Sequence, residues 1–225
     1  MPAQVMTWRD GFEGHRSYSA TATSNAGHQW TITETSSAGT PTFAAVDDGG
    51  APGVKLTFDN TNEEQNICLS SGDILWCDID KIVQATFRVK FGGTAKDAAT
   101  TAAWGLASER NDAIDSIAEA ALFRLAGTST TTEIVVETDD GTTNNDDVAT
   151  GKTLSTTALD FTISFATGKS DVRFFIDGQP VATGTTFDMS GYSGSLQPYL
   201  QLQKTADTST DSITLEFAEI LYRIS

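Results

Sequence analysis

Basic residues are scarce in this sequence. Lysine and arginine total 14 against 30 aspartate and glutamate residues in a chain of 225, which gives a formal net charge of −16 at pH 7. A surface with such an excess of negative charge repels the phosphate backbone of nucleic acids. We therefore expect no nucleic-acid partner.

Histidine, cysteine and long apolar runs are also scarce. Two histidines, His15 and His28, and two cysteines, Cys68 and Cys77, are too few for a zinc site or a disulfide framework. A turn around residues 71–74 would place the cysteines opposite one another, but we favour two reduced thiols. No apolar stretch approaches the roughly 20 residues that span a bilayer. The N-terminus lacks a basic start followed by an apolar run, so we expect neither a signal peptide nor a membrane partner.

The sequence does contain segments in which apolar and polar residues alternate. Short segments with an apolar residue at every second position are separated by stretches rich in Gly, Thr and Asp, a pattern typical of β-strands joined by turns. We expect an all-β fold, a two-sheet antiparallel sandwich formed by one domain over residues 1–225. The predicted strands lie at 28–35, 53–59, 84–91, 132–138, 159–166, 171–177, 196–204 and 212–224, and the predicted loops at 47–53, 92–101, 127–132 and 139–153.

One segment departs from this alternation. In RNDAIDSIAEAALFRLAG, Ile114, Ile117 and Leu122 have helical spacing, with Ala118 and Ala121 between them. Asn111 or Asp112 is placed to cap such a helix. Because ALFRLAG also has the character of a strand, we expect at most two helical turns here, followed by a strand.

Four motifs occur together in a characteristic order. They are WRDGFEG, AAWGLAS, DFTISFATGKSDVRFFIDGQPVAT and the closing SITLEFAEILYRI. Together they resemble concanavalin A-like, laminin-G-type jelly-roll sandwiches. The resemblance implies that Asp177-Gly178 forms a tight hairpin turn. It also implies that the segment near Phe12 pairs with the final strand, around residues 217–224.

Within that fold, an acidic, Thr-rich chain without a signal peptide also resembles the virion structural proteins of tailed bacteriophages. The resemblance implies a non-enzymatic capsid decoration or head-associated protein, made in the host cytoplasm and located on the outer capsid surface. Its partners would be the major capsid protein and sister copies in a homo-oligomer. Two alternatives remain, a carbohydrate-binding lectin-like module, in a fibre or tail, and a glycan hydrolase.

No pattern of catalytic groups stands out. Glycan hydrolases of this fold carry Glu-x-Asp-x-x-Glu on one strand, which directs an acid and a nucleophile into one groove. Asp78 and Asp80 have i, i+2 spacing, but no third carboxylate follows at the required interval. Glu216 and Glu219 are three residues apart, which places them on opposite faces of a regular strand. Acidic neighbours also disfavour Cys77 as a nucleophile. We therefore expect that the protein is not an enzyme and has no catalytic residues.

The loop ETDDGTTNNDDVATG is the place where calcium would bind. It supplies hard oxygen ligands, but their spacing does not match the helix-loop-helix calcium motif, and such residues are also common in turns. We expect no cofactor and no metal, and keep this loop as the calcium candidate. Its candidate ligands are Asp139, Asp140, Asn144, Asp146 and Asp147.

Aromatic residues provide the remaining candidates. Each of the four tryptophans lies in or beside an apolar-patterned segment, which favours core packing. Tyr192 and Tyr199 flank the polar stretch SGSLQP, and we expect them at the surface, in contact with a glycan or a neighbouring subunit. The tryptophans are Trp8, Trp30, Trp76 and Trp104.

Overall fold

The computed structural model describes residues 4–13, 30–48 and 51–224, and most of them lie in strands. One 3-10 turn, Ile114–Ser116, is the only helical element in these ranges. The strands are β1 (Gln4–Asp10), β2 (Thr31–Glu34), β3 (Thr42–Asp48), β4 (Ala51–Thr57), β5 (Glu63–Ser70), β6 (Cys77–Asp78), β7 (Ile82–Phe91), β8 (Thr100–Ala107), β9 (Glu119–Leu125), β10 (Glu133–Asp140), β11 (Asn144–Thr153), β12 (Leu159–Ser164), β13 (Arg173–Ile176), β14 (Gln179–Val181), β15 (Ser195–Asp207) and β16 (Ser212–Ile224).

These strands form two antiparallel sheets. The first sheet has the order β14-β13-β12-β7-β16-β4-β3, with β1 also paired to β16, and the second has the order β11-β10-β9-β8-β15-β5-β2, with β6 paired to β15. The expected all-β sandwich with at most one short helix is confirmed. The implied return of the last strand is also present, because Trp8 of β1 lies opposite Ile220 of β16.

The inner faces of the sheets share one hydrophobic core. In β7, Phe87, Val89 and Phe91 are buried in this core, as the alternation predicts. An aromatic contact joins the two sheets, since the Trp104 ring lies 4.8 Å from that of Phe161, edge to face. Burial of such rings supplies much of the driving force for folding. The extent of the single domain, residues 1–225, stays a prediction.

Strand β11 shows that the loop predicted over residues 139–153 is wrong. Most side chains of β11, at the edge of the second sheet, are exposed on both faces, so its sequence shows no apolar alternation. Asp147 (φ 47°) and Gly151 (φ 68°) lie where the register against β10 shifts. Such bulges bend an edge strand and discourage pairing with another chain.

Residues 108–118, between β8 and β9, lie over the outer face of the second sheet. Ile114 and Ile117 form a small buried cluster there with Leu122 and other residues of β5, β8, β9 and β15. The expected short helix followed by a strand is confirmed by the 3-10 turn and β9. The expected cap is wrong: Ala113 precedes the turn without a side-chain hydrogen bond to it.

No helix in the described part of the chain is long and apolar enough to cross a membrane.

Candidate functional site

A surface groove lies beside the β13–β14 hairpin. The hairpin turns at Asp177 (φ 48°) and Gly178 (φ 74°), and positive φ at both central residues is what a type I′ turn requires. After β14 the chain leaves the sheet through residues 182–186 and returns at Phe187, whose carbonyl accepts the Val172 N–H at 2.9 Å. This excursion encloses a groove of about 460 Å³.

The groove combines an apolar ledge with polar groups. Phe175 and Pro180 are paired across the hairpin on its outer face, and the buried rings of Phe174 and Phe187 close the floor, with centroids 4.9 Å apart. Polar side chains complete the rest of the lining. They are Asp171, Arg173, Thr183, Thr185 and Thr186.

Arg173 and Asp171 are the only charged residues of the lining. The guanidinium donates from Nε and Nη2 to Asp171 Oδ2 at 3.1 and 2.6 Å. This hydrogen bond lowers the pKa of Asp171 and raises that of Arg173. The groove is therefore electrically neutral at physiological pH, and it still holds unused donors on Arg173 and an acceptor on Asp171.

Sequence reasoning identified the hairpin but missed the groove. In the sequence, Arg173 and Phe175 have only the pattern of solvent-facing residues on an alternating strand, which does not indicate a binding site. The available signal is the stretch ATGTTF at 182–187, which is too long and too polar to be a simple continuation of β14.

The two predicted surface tyrosines have different environments. Tyr192 is half-buried, and its hydroxyl donates to the Ser195 carbonyl at 2.8 Å. The expectation that Tyr199 is exposed is wrong, because the segment at residues 108–118 covers it completely. Asn66 Oδ1 and Gln201 Oε1 are buried without a hydrogen-bond partner among the described residues.

The tryptophans pack as predicted. Trp30 and Trp104 are buried, whereas Trp8 and Trp76 are half-buried and pack against the same core. The Trp8 and Trp76 rings meet edge to face at 5.1 Å.

The candidate calcium ligands lie along the β10–β11 hairpin. Asp140 Oδ1 accepts the N–H groups of Thr142 and Thr143 at 2.9 and 2.6 Å, and its Oδ2 accepts the Gly191 N–H at 2.7 Å. Partial burial raises the pKa of Asp140, but these donors outweigh it, so the pKa lies below its usual value. Asp139 Oδ1 accepts the Gly141 N–H.

The remaining candidates, Asn144, Asp146 and Asp147, are exposed. Asp147 Oδ1 lies 3.6 Å from Arg124 Nη1. Over residues 4–13, 30–48 and 51–224, no three His, Cys, Asp or Glu side chains are grouped as metal ligands. The absence of a cofactor stays a prediction.

Both cysteines are buried and unbonded. Cys68 belongs to the cluster on the outer face of the second sheet, whereas Cys77 belongs to the main core. Burial raises the pKa of each thiol to about 12, so neither is poised as a nucleophile. His15 and His28 lie outside the described residues.

Glu216 and Glu219 do not point to opposite faces, so that expectation is wrong. The register of β16 against β7 shifts between Leu215 and Phe217, and this bulge turns Glu216 outward. Its carboxylate contacts Arg88 Nε at 2.9 Å and Lys90 Nζ at 3.1 Å, residues of the outer face. Glu219, on the same face, lies 4.0 Å from Arg9.

Asp78 and Asp80 are also paired with cations. Asp78 lies 3.2 Å from Lys81 Nζ and Asp80 lies 2.9 Å from Lys169 Nζ. All four candidate acids therefore have a basic partner.

No protein-family model matches this chain, and no curated protein matches it. Solved structures do. The carbohydrate recognition domain of Emp47p has a TM-score of 0.60 at 10% identity, over 97% of this chain and 95% of that one. The β-glucanase of Bacillus licheniformis has a TM-score of 0.62 at 9% identity, over 97% and 98%.

A glycoside hydrolase family 16 endo-glucanase from Bacteroides ovatus has a TM-score of 0.62 at 9% identity, over 95% of this chain and 99% of that one. At such identities the likeness concerns the fold, which is the jelly-roll sandwich of lectin and family 16 domains. The implied concanavalin A-like architecture is confirmed.

Proposed function

We propose that this protein is a non-catalytic carbohydrate-binding module and that the groove beside β13–β14 holds the sugar. One observation carries the proposal. The groove sets the Phe175–Pro180 ledge beside the Arg173–Asp171 pair, within one concavity of about 460 Å³. Ligand sites of this size typically combine apolar walls with a few convergent polar groups.

The chemistry of a sugar fits this arrangement. A pyranose has an apolar face of C–H groups, which packs on an aromatic ring, and an edge of hydroxyls that both donate and accept. Arg173 supplies donors, Asp171 an acceptor, and the threonines both.

The resemblance in fold supports the proposal by analogy. The name of the Emp47p domain describes carbohydrate recognition, and the two bacterial neighbours are glucan-degrading enzymes by name. The non-catalytic role is supported by the basic partners of Asp78, Asp80, Glu216 and Glu219.

A glycan array followed by titration calorimetry tests this function. We expect wild-type protein to bind neutral glycans, and Phe175→Ala to weaken binding by about tenfold or more, as loss of a central aromatic contact does. Phe217→Ala is the matched control, because Phe217 is also half-buried on the outer face of the first sheet. Absence of binding, or equal losses in both variants, would overturn the proposal.

A structural role in a virus particle remains our second proposal. The net charge of −16 favours it, because strong negative charge keeps a protein dispersed at high copy number. Its partners would be the major capsid protein and sister copies, on the outer capsid surface. Counting this chain against the major shell protein by mass spectrometry of purified particles tests it, and absence from the particles would reject it.

A further inference from the structure

The exposed hydrophobic side chains gather at one end of the sandwich. Six large hydrophobic side chains are exposed among the described residues. All but Phe43 lie in β1, at the end of β16, or directly before Trp76. The five are Val5 (50%), Met6 (52%), Ile74 (49%), Leu75 (38%) and Ile224 (44%).

These side chains adjoin half-buried aromatic rings. Met6 and Trp8 share one face of β1, and Trp8 contacts Trp76 at 5.1 Å. Trp76 in turn lies 5.8 Å from Tyr222, which is opposite Met6 in the β1–β16 register. We call Met6, Trp8, Leu75, Trp76 and Ile224 the end patch. Clustered exposed apolar surface of this kind marks an interaction site.

Charge around the end patch differs from that of the whole chain. Asp78 pairs with Lys81, and Glu219 lies beside Arg9. Arg223 follows Tyr222 and lines a small cavity with Lys169 and Asp80, which are themselves paired. In a chain of net charge −16, this end is locally balanced, so another copy approaches it with less repulsion than the net charge alone implies.

The backbone adds an element that is complementary to itself. Over the described ranges, β1 pairs with β16 alone, so its other edge is open, and residues 4–7 are exposed. An open edge strand pairs with a second strand, and antiparallel pairing of two identical strands obeys the two-fold symmetry of most homodimers. Unlike the edge strand β11, β1 has no positive φ angle.

We propose that the end patch and the open edge of β1 form a homodimer interface, occupied by the same surface of a second copy. The patch supplies the apolar contacts, and the β1 edges extend the first sheet across the two-fold axis. This inference does not depend on the proposed carbohydrate binding, because the groove residues and the patch residues are different.

Light scattering coupled to size exclusion, across a range of protein concentration and salt, tests the dimer. We expect twice the mass of one chain. Added salt should strengthen association, because it screens the repulsion between two acidic copies. Acrylamide quenching of tryptophan fluorescence should fall with increasing concentration as Trp8 and Trp76 become covered.

Matched variants locate the interface. Met6→Lys and Leu75→Lys should each raise the dissociation constant about tenfold or more, because each buries an unpaired charge. Thr156→Lys changes the net charge equally at an exposed position outside the patch and should leave the dimer intact. Because Leu75 lies outside the strands, its variant keeps the test valid if Met6→Lys does not fold.

Three outcomes would overturn the proposal. A monomer at every concentration and salt would reject the dimer. A dimer unaffected by both patch variants would place the interface elsewhere. A monomer whose tryptophans are equally protected at all concentrations would mean that the patch is covered within one chain.

Discussion

Arg124 and Glu137 form a buried ion pair across β9 and β10, with each side chain only 5% exposed. Arg124 also contacts Asp115, from the segment that covers the second sheet, and Asp147 of β11. Burial raises the pKa of Glu137 in spite of the attraction from Arg124. The pair and its two further contacts therefore join four elements, β9, β10, β11 and the covering segment, but the Glu137 carboxylate stays in an environment that disfavours its charge.

Replacing Arg124 should lower the free energy of unfolding more than replacing Glu137. Arg124→Met leaves Glu137 buried and unpaired, and we expect a loss of about 3–5 kcal/mol in unfolding free energy at pH 7. Glu137→Gln should cost less, because Arg124 retains Asp115 and Asp147. Urea unfolding measures both. Equal losses would contradict this account.

The same pair predicts a pH effect with a defined sign. Because the folded-state pKa of Glu137 lies above its ordinary value of 4.5, its contribution to stability is fully present below that value and is lost as pH rises through the folded pKa. In Arg124→Met the folded pKa should rise further. The destabilisation should therefore be smaller at pH 4 than at pH 7, which urea unfolding at the two pH values would show.

Asp59 should make stability depend on pH in the opposite direction to Glu137. Its carboxylate accepts the N–H groups of Thr40 and Thr61 and a side-chain bond from Gln65, and these bonds, chiefly that of Thr40, lower its pKa. Stability from this group is present above the ordinary value of 3.8 and is lost as pH falls towards the folded pKa. Asp59→Asn should flatten the loss of thermal stability in acid, whereas Asp146→Asn, at an exposed position, should not.

Alternation predicted the strands whose two faces differ, such as β7 and β12. It missed β5 and β8, both of whose faces are buried because residues 108–118 cover the outer face of the second sheet, although it did predict β15, which the same segment covers. The same cover hides Tyr199. The outward turn of Glu216 follows from a bulge, which the spacing of two glutamates does not reveal. Such features depend on tertiary contacts between distant segments.

Lys204 should stabilise the loops at one end of the sandwich by holding their backbone carbonyls. Its side chain is completely buried, and Nζ donates to the carbonyls of Asp59, Thr61 and Ser209 at 2.8, 3.1 and 3.0 Å. Lys204→Met removes all three bonds and leaves carbonyls unsatisfied, so we expect a loss of about 2–4 kcal/mol in unfolding free energy. Lys152→Met, at an exposed position, is the control and should change stability by less than about 0.5 kcal/mol.

The Arg173–Asp171 pair should determine which charge of sugar the proposed groove binds. In the wild type, Asp171 neutralises Arg173, so the proposed groove should prefer neutral glycans over those carrying carboxylates. Asp171→Asn removes the negative charge and leaves the guanidinium free for a bidentate bond to a carboxylate. We expect this variant to gain affinity for uronic-acid glycans and to lose it for neutral ones. Calorimetry with a matched pair of neutral and acidic oligosaccharides measures both changes. Arg173→Met should show no gain in affinity for uronic-acid glycans. If Asp171→Asn weakened binding of both ligands alike, the ion pair would only stabilise the groove and would not set its preference for charge.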